Sequence, residues 1–183
     1  MLSRLKFFRL RALKIIIAVA FILFLIIFSS LWALTQPKSV SSWGSANSVA
    51  PAEVVRAALV QNYLPLKTQK PLDKNQIKAL KVPSLGAGTL YIIDFNSPQL
   101  CGSCGCLYAV YTQQGRSVLR LLLNPKLPNK TPLFAVSEQT RNGFYCLVVA
   151  QSTGKEDTVS PSRYCYEGTG FTLVNSSITK GGV

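Results

Sequence analysis

The chain has 183 residues, with 20 lysines and arginines against 7 aspartates and glutamates, five cysteines and no histidine. Because histidine is absent, a histidine-based catalytic triad, a histidine-ligated metal site and an imidazole pH switch are excluded. Hydrophobic residues make up 48% and charged residues 15%, which is typical of a folded chain and argues against intrinsic disorder. The length accommodates one ordinary domain and an appendage.

An apolar stretch near the N-terminus predicts a membrane span. Twenty uncharged residues begin at Ile15 and end at Leu34, and fourteen of them are Ile, Leu, Val or Phe. A helix of this length is about 30 Å long, which matches the hydrocarbon core of a bilayer. We therefore predict that residues 15–34 form a single transmembrane helix, with the lipid bilayer as a partner of the chain.

The flanking charges predict the orientation of this span. Residues 1–14 contain five basic and no acidic side chains. The positive-inside rule therefore keeps them in the cytoplasm and places the rest of the chain on the outer, periplasmic or equivalent, side. A cleaved secretory signal is the alternative, but its apolar region usually has about 7–15 residues. Both alternatives export the remainder of the chain, which argues against a nucleic-acid partner.

The exported part of the sequence divides into a linker and a domain. Residues 35–50 contain five serines, one glycine and one proline, a composition that predicts a flexible tether. Residues 51–183 form the predicted domain, and its first part has helical periodicity. We predict one helix at 51–62, which begins at a proline, and a shorter one at 73–81, which lies between two prolines.

After residue 83 the hydrophobic period changes toward two, which predicts strands. The predicted strands cover residues 89–95, 107–112, 117–123, 144–151 and 163–174. Residues 113–116 form a predicted hairpin turn, and the last strand is expected to break at Gly168 or Gly170. Helices followed by strands predict an α+β fold, in which one or two helices pack on an antiparallel sheet of about five strands.

The cysteines are the one compact chemical feature of the sequence. Export places all five in an oxidising compartment, which predicts two disulfides and one remaining thiol. Two pairings are favoured: Cys101 with Cys106 across a four-residue loop, and Cys146 with Cys165 between two predicted strands. Cys104 is then the free thiol. A bond between Cys101 and Cys104 stays open as an alternative, because the spacing does not decide between them.

The same cysteines also allow two kinds of chemistry. Cys101-Gly-Ser-Cys104 matches the Cys-x-x-Cys motif, so a thiol–disulfide redox protein is the alternative function. The residues that follow predict a strand, however, in place of the helix that lowers the thiol pKa in such proteins. A zinc or iron–sulfur site usually has two tight cysteine pairs, and Cys146 and Cys165 are isolated. We therefore predict structural disulfides, with no metal, no cofactor and no catalytic residue.

One segment resembles a group of known sequences. Within residues 90–111, Asp-Phe-Asn-Ser-Pro begins at Asp94 and Leu-Cys-Gly-Ser-Cys-Gly-Cys-Leu-Tyr begins at Leu100. These residues resemble uncharacterised exported or membrane-anchored bacterial proteins, of cyanobacterial type, that contain a Cys-Gly-x-x-Gly-Cys strand motif. The resemblance implies export of the domain and pairing of the outer cysteines, Cys101 and Cys106. It implies no activity.

Three lysines are candidate contacts for anionic lipid. Lys74, Lys78 and Lys81 share one face of the second predicted helix, where each would contribute about 1 kcal/mol near an anionic surface. A solvated helix face is the alternative interpretation. The sequence as a whole predicts a single-pass membrane protein whose outer domain is a non-catalytic binding or assembly module, with an unknown protein or envelope component as partner.

Overall fold

Short strands dominate the part of the chain that the structure describes. The computed structural model describes residues 42–64, 72–128, 131–155, 157–177 and 179–180. Within these residues, eleven strands form two antiparallel sheets, one of six strands and one of five. The helices of the same residues are α1 (Ala46–Val49), α2 (Ala52–Asn62) and one 3-10 turn (Pro98–Leu100).

The first sheet contains the first three predicted strands. Its members are β1 (Gly44–Ser45), β2 (Lys78–Val82), β3 (Leu90–Asp94), β4 (Cys101–Gly102), β5 (Gly105–Thr112) and β6 (Ser117–Leu123). Strands β1, β2, β3 and β5 are neighbours in that order, and β4 and β6 both pair with β5. The amide of Thr112 donates to the carbonyl of Arg116, and Gly115 has a φ of 77°. The hairpin predicted between these strands is therefore confirmed.

The second sheet forms from the C-terminal third of the chain. Its members are β7 (Phe134–Arg141), β8 (Phe144–Ser152), β9 (Thr158–Tyr166), β10 (Phe171–Ser176) and β11 (Thr179–Lys180). The order is β10, β9, β8, β7, and β11 pairs with β9. The amide of Glu167 donates to the carbonyl of Gly170 in the turn between β9 and β10. The single strand predicted at 163–174 is thus two strands, separated by the two predicted glycines.

The first sheet is the middle layer of the domain. One core cluster contains Ile92 of β3 and Leu147 of β8, and therefore joins the two sheets. A second cluster contains Ile93 of β3 and Val54 of α2, and therefore joins the first sheet to the helices. Successive residues of a strand point to opposite faces, so β3 is buried on both faces and is apolar along its length. The layers are helix, sheet and sheet.

The predicted α+β fold, with one or two helices packed on a single antiparallel sheet of about five strands, is wrong, because the described residues are mostly strands in two antiparallel sheets with few helices. The strand β7 was not predicted, since most of its residues are exposed or half-buried and it lacks a strong apolar alternation. The helix predicted at 73–81 is also wrong: residues 74–76 form a turn and Lys78–Val82 is β2. The spacing of Ile77 and Leu80 between two prolines imitated a helix, although Leu80 and Val82 follow the strand period.

The folded domain begins earlier than predicted. Gly44–Ser45 pairs with β2, and Ala46 of α1 is fully buried. The ring of Trp43 lies 6.2 Å from that of Tyr108 and 6.3 Å from that of Phe134, edge to face. The last part of the linker predicted at 35–50 therefore belongs to the domain. The helix predicted at 51–62 is confirmed as α2, which follows Pro51 and carries Glu53 in its first turn.

The predicted cytoplasmic N-terminus (1–14), the predicted span (15–34) and residues 35–41 of the predicted linker lie outside the described residues. Across the ranges that are described, no helix is both long enough and apolar enough to cross a bilayer.

Candidate functional site

A tight hairpin positions the first three cysteines. Strands β4 and β5 are joined by the two residues 103 and 104, so that Cys101 lies directly opposite Cys106 in the register. Their Cα atoms are 3.9 Å apart and their sulfurs form a disulfide. Cys104 lies in the turn as an exposed free thiol. The bond joins the outer cysteines, so the alternative Cys101–Cys104 pair is not the one that forms.

The second disulfide lies within the second sheet. Cys146 of β8 and Cys165 of β9 are next to the register pair Leu147–Tyr164, and their Cα atoms are 4.4 Å apart. Both cysteines are buried, with 0% and 2% of their surface exposed. This bond therefore joins the two central strands of the sheet inside the protein. Among the described residues, no group of three or more cysteines and carboxylates is placed to hold a metal ion.

The three candidate lysines do not form one surface. Lys74 lies in the turn before β2, whereas Lys78 and Lys81 are exposed residues of β2 itself. Residues three apart on a strand point to opposite faces of the sheet. Lys78 lies opposite Asp94 in the register, and Lys81 lies opposite Tyr91. The helix face that made these lysines a common lipid contact is therefore absent from this segment.

A polar row crosses the first sheet at Asp94. The carboxylate lies between Lys78 of β2 and Tyr108 of β5 in the register. Its Oδ1 accepts a hydrogen bond of 2.8 Å from the amide of Asn96, and the Tyr108 hydroxyl is 3.5 Å from Oδ2. Burial raises the pKa of Asp94 above its usual value, although the Asn96 amide, Lys78 and Tyr108 act in the opposite direction. Burial and the Asp94 charge raise the pKa of Tyr108.

The raised pKa of Asp94 predicts a pH-dependent effect on stability. The charged carboxylate is disfavoured in the folded state, so ionisation of Asp94 lowers the free energy of unfolding. This loss of stability is absent below the unfolded pKa of about 3.9 and appears as the pH rises through the folded pKa. We expect Asp94→Asn to raise the melting temperature at pH 7 and to leave it unchanged near pH 3. Thermal unfolding at the two pH values measures the difference.

Asp73 provides a matched control for this prediction. Its Oδ1 accepts a hydrogen bond from the amide of Asn75, two residues on, as Asp94 does from Asn96. Asp73 is exposed, so Asp73→Asn is expected to give no gain at pH 7. An equal gain in both variants, or a larger gain for Asp94→Asn near pH 3, would contradict the assigned cause.

An apolar groove lies along the outer flank of α2, and we call it the α2 groove. Its volume is about 500 Å³, within the usual range of ligand sites. The lining residues are Asn47, Ala52, Val55, Arg56, Leu59, Val60, Tyr63, Leu64, Leu72 and Lys74. Two apolar side chains of the helix end are strongly exposed, Val60 by 49% and Leu64 by 63%. The only charged side chains in the lining are basic.

The sequence analysis missed the α2 groove, although a signal was present. The core-facing stripe of α2 consists of Val54, Val55 and Ala58. Leu59, Val60 and the residues after Asn62 extend the apolar surface around the helix, beyond the stripe that one core needs. The second lining segment, near Leu72, comes from a different part of the chain, and only the folded structure brings it beside the helix.

A second groove of about 460 Å³ lies beside the first disulfide, and we call it the hairpin groove. It is lined by Leu100, Cys101, Gly102, Leu107, Arg120, Leu121 and Leu122. Leu122 is 51% exposed on β6. The disulfide holds β4 against β5, so it fixes one wall of this groove.

Comparison of the chain with known protein families, with curated proteins and with solved structures finds no match. The function is therefore argued from the cysteine bonds, the charges and the two grooves.

Proposed function

We propose that this chain is a membrane-anchored binding module with a disulfide-stapled domain outside the cytoplasm. The observation that carries the proposal is the pairing of four of the five cysteines as two disulfides in one small domain. Disulfides persist in oxidising compartments and are rare in the cytosol. A buried bond between Cys146 and Cys165 is structural, because a reductant has no direct access to it.

The N-terminal sequence supports the proposed location. The apolar residues 15–34 hold the chain at the membrane, and the basic residues of 1–14 keep the N-terminus in the cytoplasm. The domain then lies on the outer side, where its cysteines oxidise. Location and cysteine pairing thus support each other by independent arguments.

The surface supports binding as the role of the domain. The α2 groove and the hairpin groove are both lined mainly by apolar side chains, and each carries exposed leucine or valine. Soluble domains seldom expose such side chains together unless a partner covers them. The chain has no histidine to activate its free thiol, so we propose a non-catalytic role.

Disulfide mapping in intact membranes tests the proposed location. Free thiols are alkylated before lysis, and the bonds are read by mass spectrometry of non-reduced peptides. We expect Cys101–Cys106 and Cys146–Cys165 bonds, with Cys104 alone alkylated. Five alkylated cysteines would place the domain in a reducing compartment and contradict the proposal. A Cys101–Cys104 bond would instead support the redox alternative.

A further inference from the structure

We infer that the α2 groove docks onto the anionic surface of the bilayer to which the chain is anchored. This inference rests on the membrane anchoring proposed above and identifies the surface that makes the contact. It replaces the three-lysine face expected from the sequence with a surface that the fold assembles. Lys74 is the one residue common to both.

The apolar part of the α2 groove suits the boundary between lipid head groups and acyl chains. Val60, in the last turn of α2, and Leu64, just beyond its end, have 49% and 63% of their surface exposed. Leu59 and Leu72 line the groove behind them. Amphipathic helices that lie in the membrane interface bury their apolar face about 5–10 Å deep. The groove therefore offers a place where acyl chains replace water.

The charges around the groove complement an anionic surface. Arg56 and Lys74 are exposed and line the groove, and no carboxylate is among the lining residues. Within the described chain, neither cation forms an ion pair; the single ion pair joins Arg141 to Glu167. Glu53 and Asp73, the acidic residues nearest in sequence to these two cations, are exposed and do not line the groove. Both cations are thus available to lipid phosphates, each beside an apolar surface.

The length of the tether keeps the groove near the membrane. The apolar segment ends at Leu34, and the described domain begins at residue 42. Eight residues cover at most about 26–29 Å when fully extended. Asn47, only five residues further along, already lines the groove. Such a short tether gives a high local concentration of lipid, so a contact of modest intrinsic affinity is populated.

Lipid photocrosslinking of the full chain tests the docking. The protein is placed in nanodiscs of phosphatidylcholine alone or of phosphatidylcholine with phosphatidylglycerol, each with a trace of a lipid carrying a diazirine on its acyl chain. Crosslinked residues are read by peptide mass spectrometry. We expect adducts on α2 and around Leu72 in the anionic discs, and few there in the neutral discs. Adducts at residues 15–34 are expected in both.

Two double variants separate the charged and apolar contributions. Arg56→Gln with Lys74→Gln is expected to lower the docking equilibrium constant about 25-fold, because each cation near an anionic surface contributes a factor of about five, and the yield of α2 adducts falls with it. Val60→Ser with Leu64→Ser is expected to lower them as well, through the apolar contact. All four side chains are exposed or line the groove, so neither variant removes a core residue.

Matched controls remove the same groups elsewhere on the domain. Lys126→Gln with Lys155→Gln removes two exposed lysines, and Leu173→Ser removes an exposed leucine of β10. None of the three lines the α2 groove. We expect all of these variants to keep the adduct yield of the original protein.

The outcomes distinguish failure of the docking from failure of the anchoring. Adducts at residues 15–34 with none on α2 would overturn the docking and leave the anchoring intact. Equal α2 adducts in both lipid mixtures, or adducts at the hairpin groove only, would also overturn it. A separate protein–protein crosslinking experiment in the same discs that joined two copies through α2 would assign the groove to self-association. Absence of adducts at residues 15–34 would contradict the anchoring itself.

Discussion

Gly105→Ala is expected to lower the free energy of unfolding by about 2–6 kcal/mol. Gly105 has a φ of 119°, a conformation that costs a side-chain-bearing residue about 1–3 kcal/mol. A Cβ atom here would also lie closer than 3.0 Å to the backbone of Leu123 and Asn124, and overpacking of this kind costs about 1–3 kcal/mol. The backbone of β6 cannot move without breaking its pairing to β5.

Gly102 is the matched control in the same hairpin. It lies opposite Gly105 in the register, and a Cβ atom there meets nothing within 4 Å. Gly102→Ala is therefore expected to change stability by less than about 0.5 kcal/mol. Urea unfolding of the oxidised proteins compares the two variants. Equal losses would show that the effect of Gly105→Ala does not arise from the close approach of β6.

Replacing Cys146 and Cys165 together by alanine is expected to cost about 3 kcal/mol of unfolding free energy. The bond closes a loop between residues 19 apart, which restricts the unfolded chain. Both sulfurs are buried between the central strands of the second sheet, so their removal also leaves unfilled space. Replacing Cys101 and Cys106 together by alanine is expected to lower the unfolding free energy by less, about 2 kcal/mol, because the two cysteines are only 5 residues apart in the sequence.

Cys104→Ala is the control for both disulfide variants. The free thiol is exposed in the hairpin turn, so its removal is expected to leave the unfolding midpoint unchanged. All variants are compared by urea unfolding without reductant, and the original protein is measured again with reductant. If Cys104→Ala lost as much unfolding free energy as either double variant, the assignment of Cys104 as the free thiol would be contradicted.

The three-layer arrangement explains why apolar side chains stay exposed on the helix side of the domain. The first sheet is covered on one face by the second sheet and on the other by α2 and α1. The helix layer contains a single long helix, so nothing in the described chain covers its outer flank. Apolar residues on that flank, Val60 and Leu64 among them, therefore face the surroundings and not a second helix.

The strands with clear apolar alternation or a continuous apolar run were predictable from the sequence. Residues 117–123 coincide with β6, and residues 89–95 contain β3. The helix at 51–62 was predictable because Pro51 and Glu53 mark its start and its core stripe repeats at helical spacing. Each of these signals is local, since it depends on residues within one element.

The number of sheets was not predictable from the same signals. Strands of one sheet and strands of two sheets have the same period, so periodicity does not reveal which strands pair. The chain leaves the first sheet after β6 and enters the second at β7. This division depends on which faces of the strands pack together in the core that contains Ile92 and Leu147. The false helix at 73–81 has the same origin: pairing of Lys78–Val82 with β3 outweighed a local helical spacing.

The sequence by itself determined the features that depend on near neighbours and composition. These are the apolar N-terminal segment, its basic flank, α2, the strands with a clear apolar pattern and the two favoured cysteine pairings. Only the tertiary structure decided the features that depend on distant residues. It decided between Cys106 and Cys104 as the partner of Cys101, because the register of β4 with β5 places Cys106 opposite. It also formed the α2 groove, because Arg56 and Lys74 line one groove only in the folded chain.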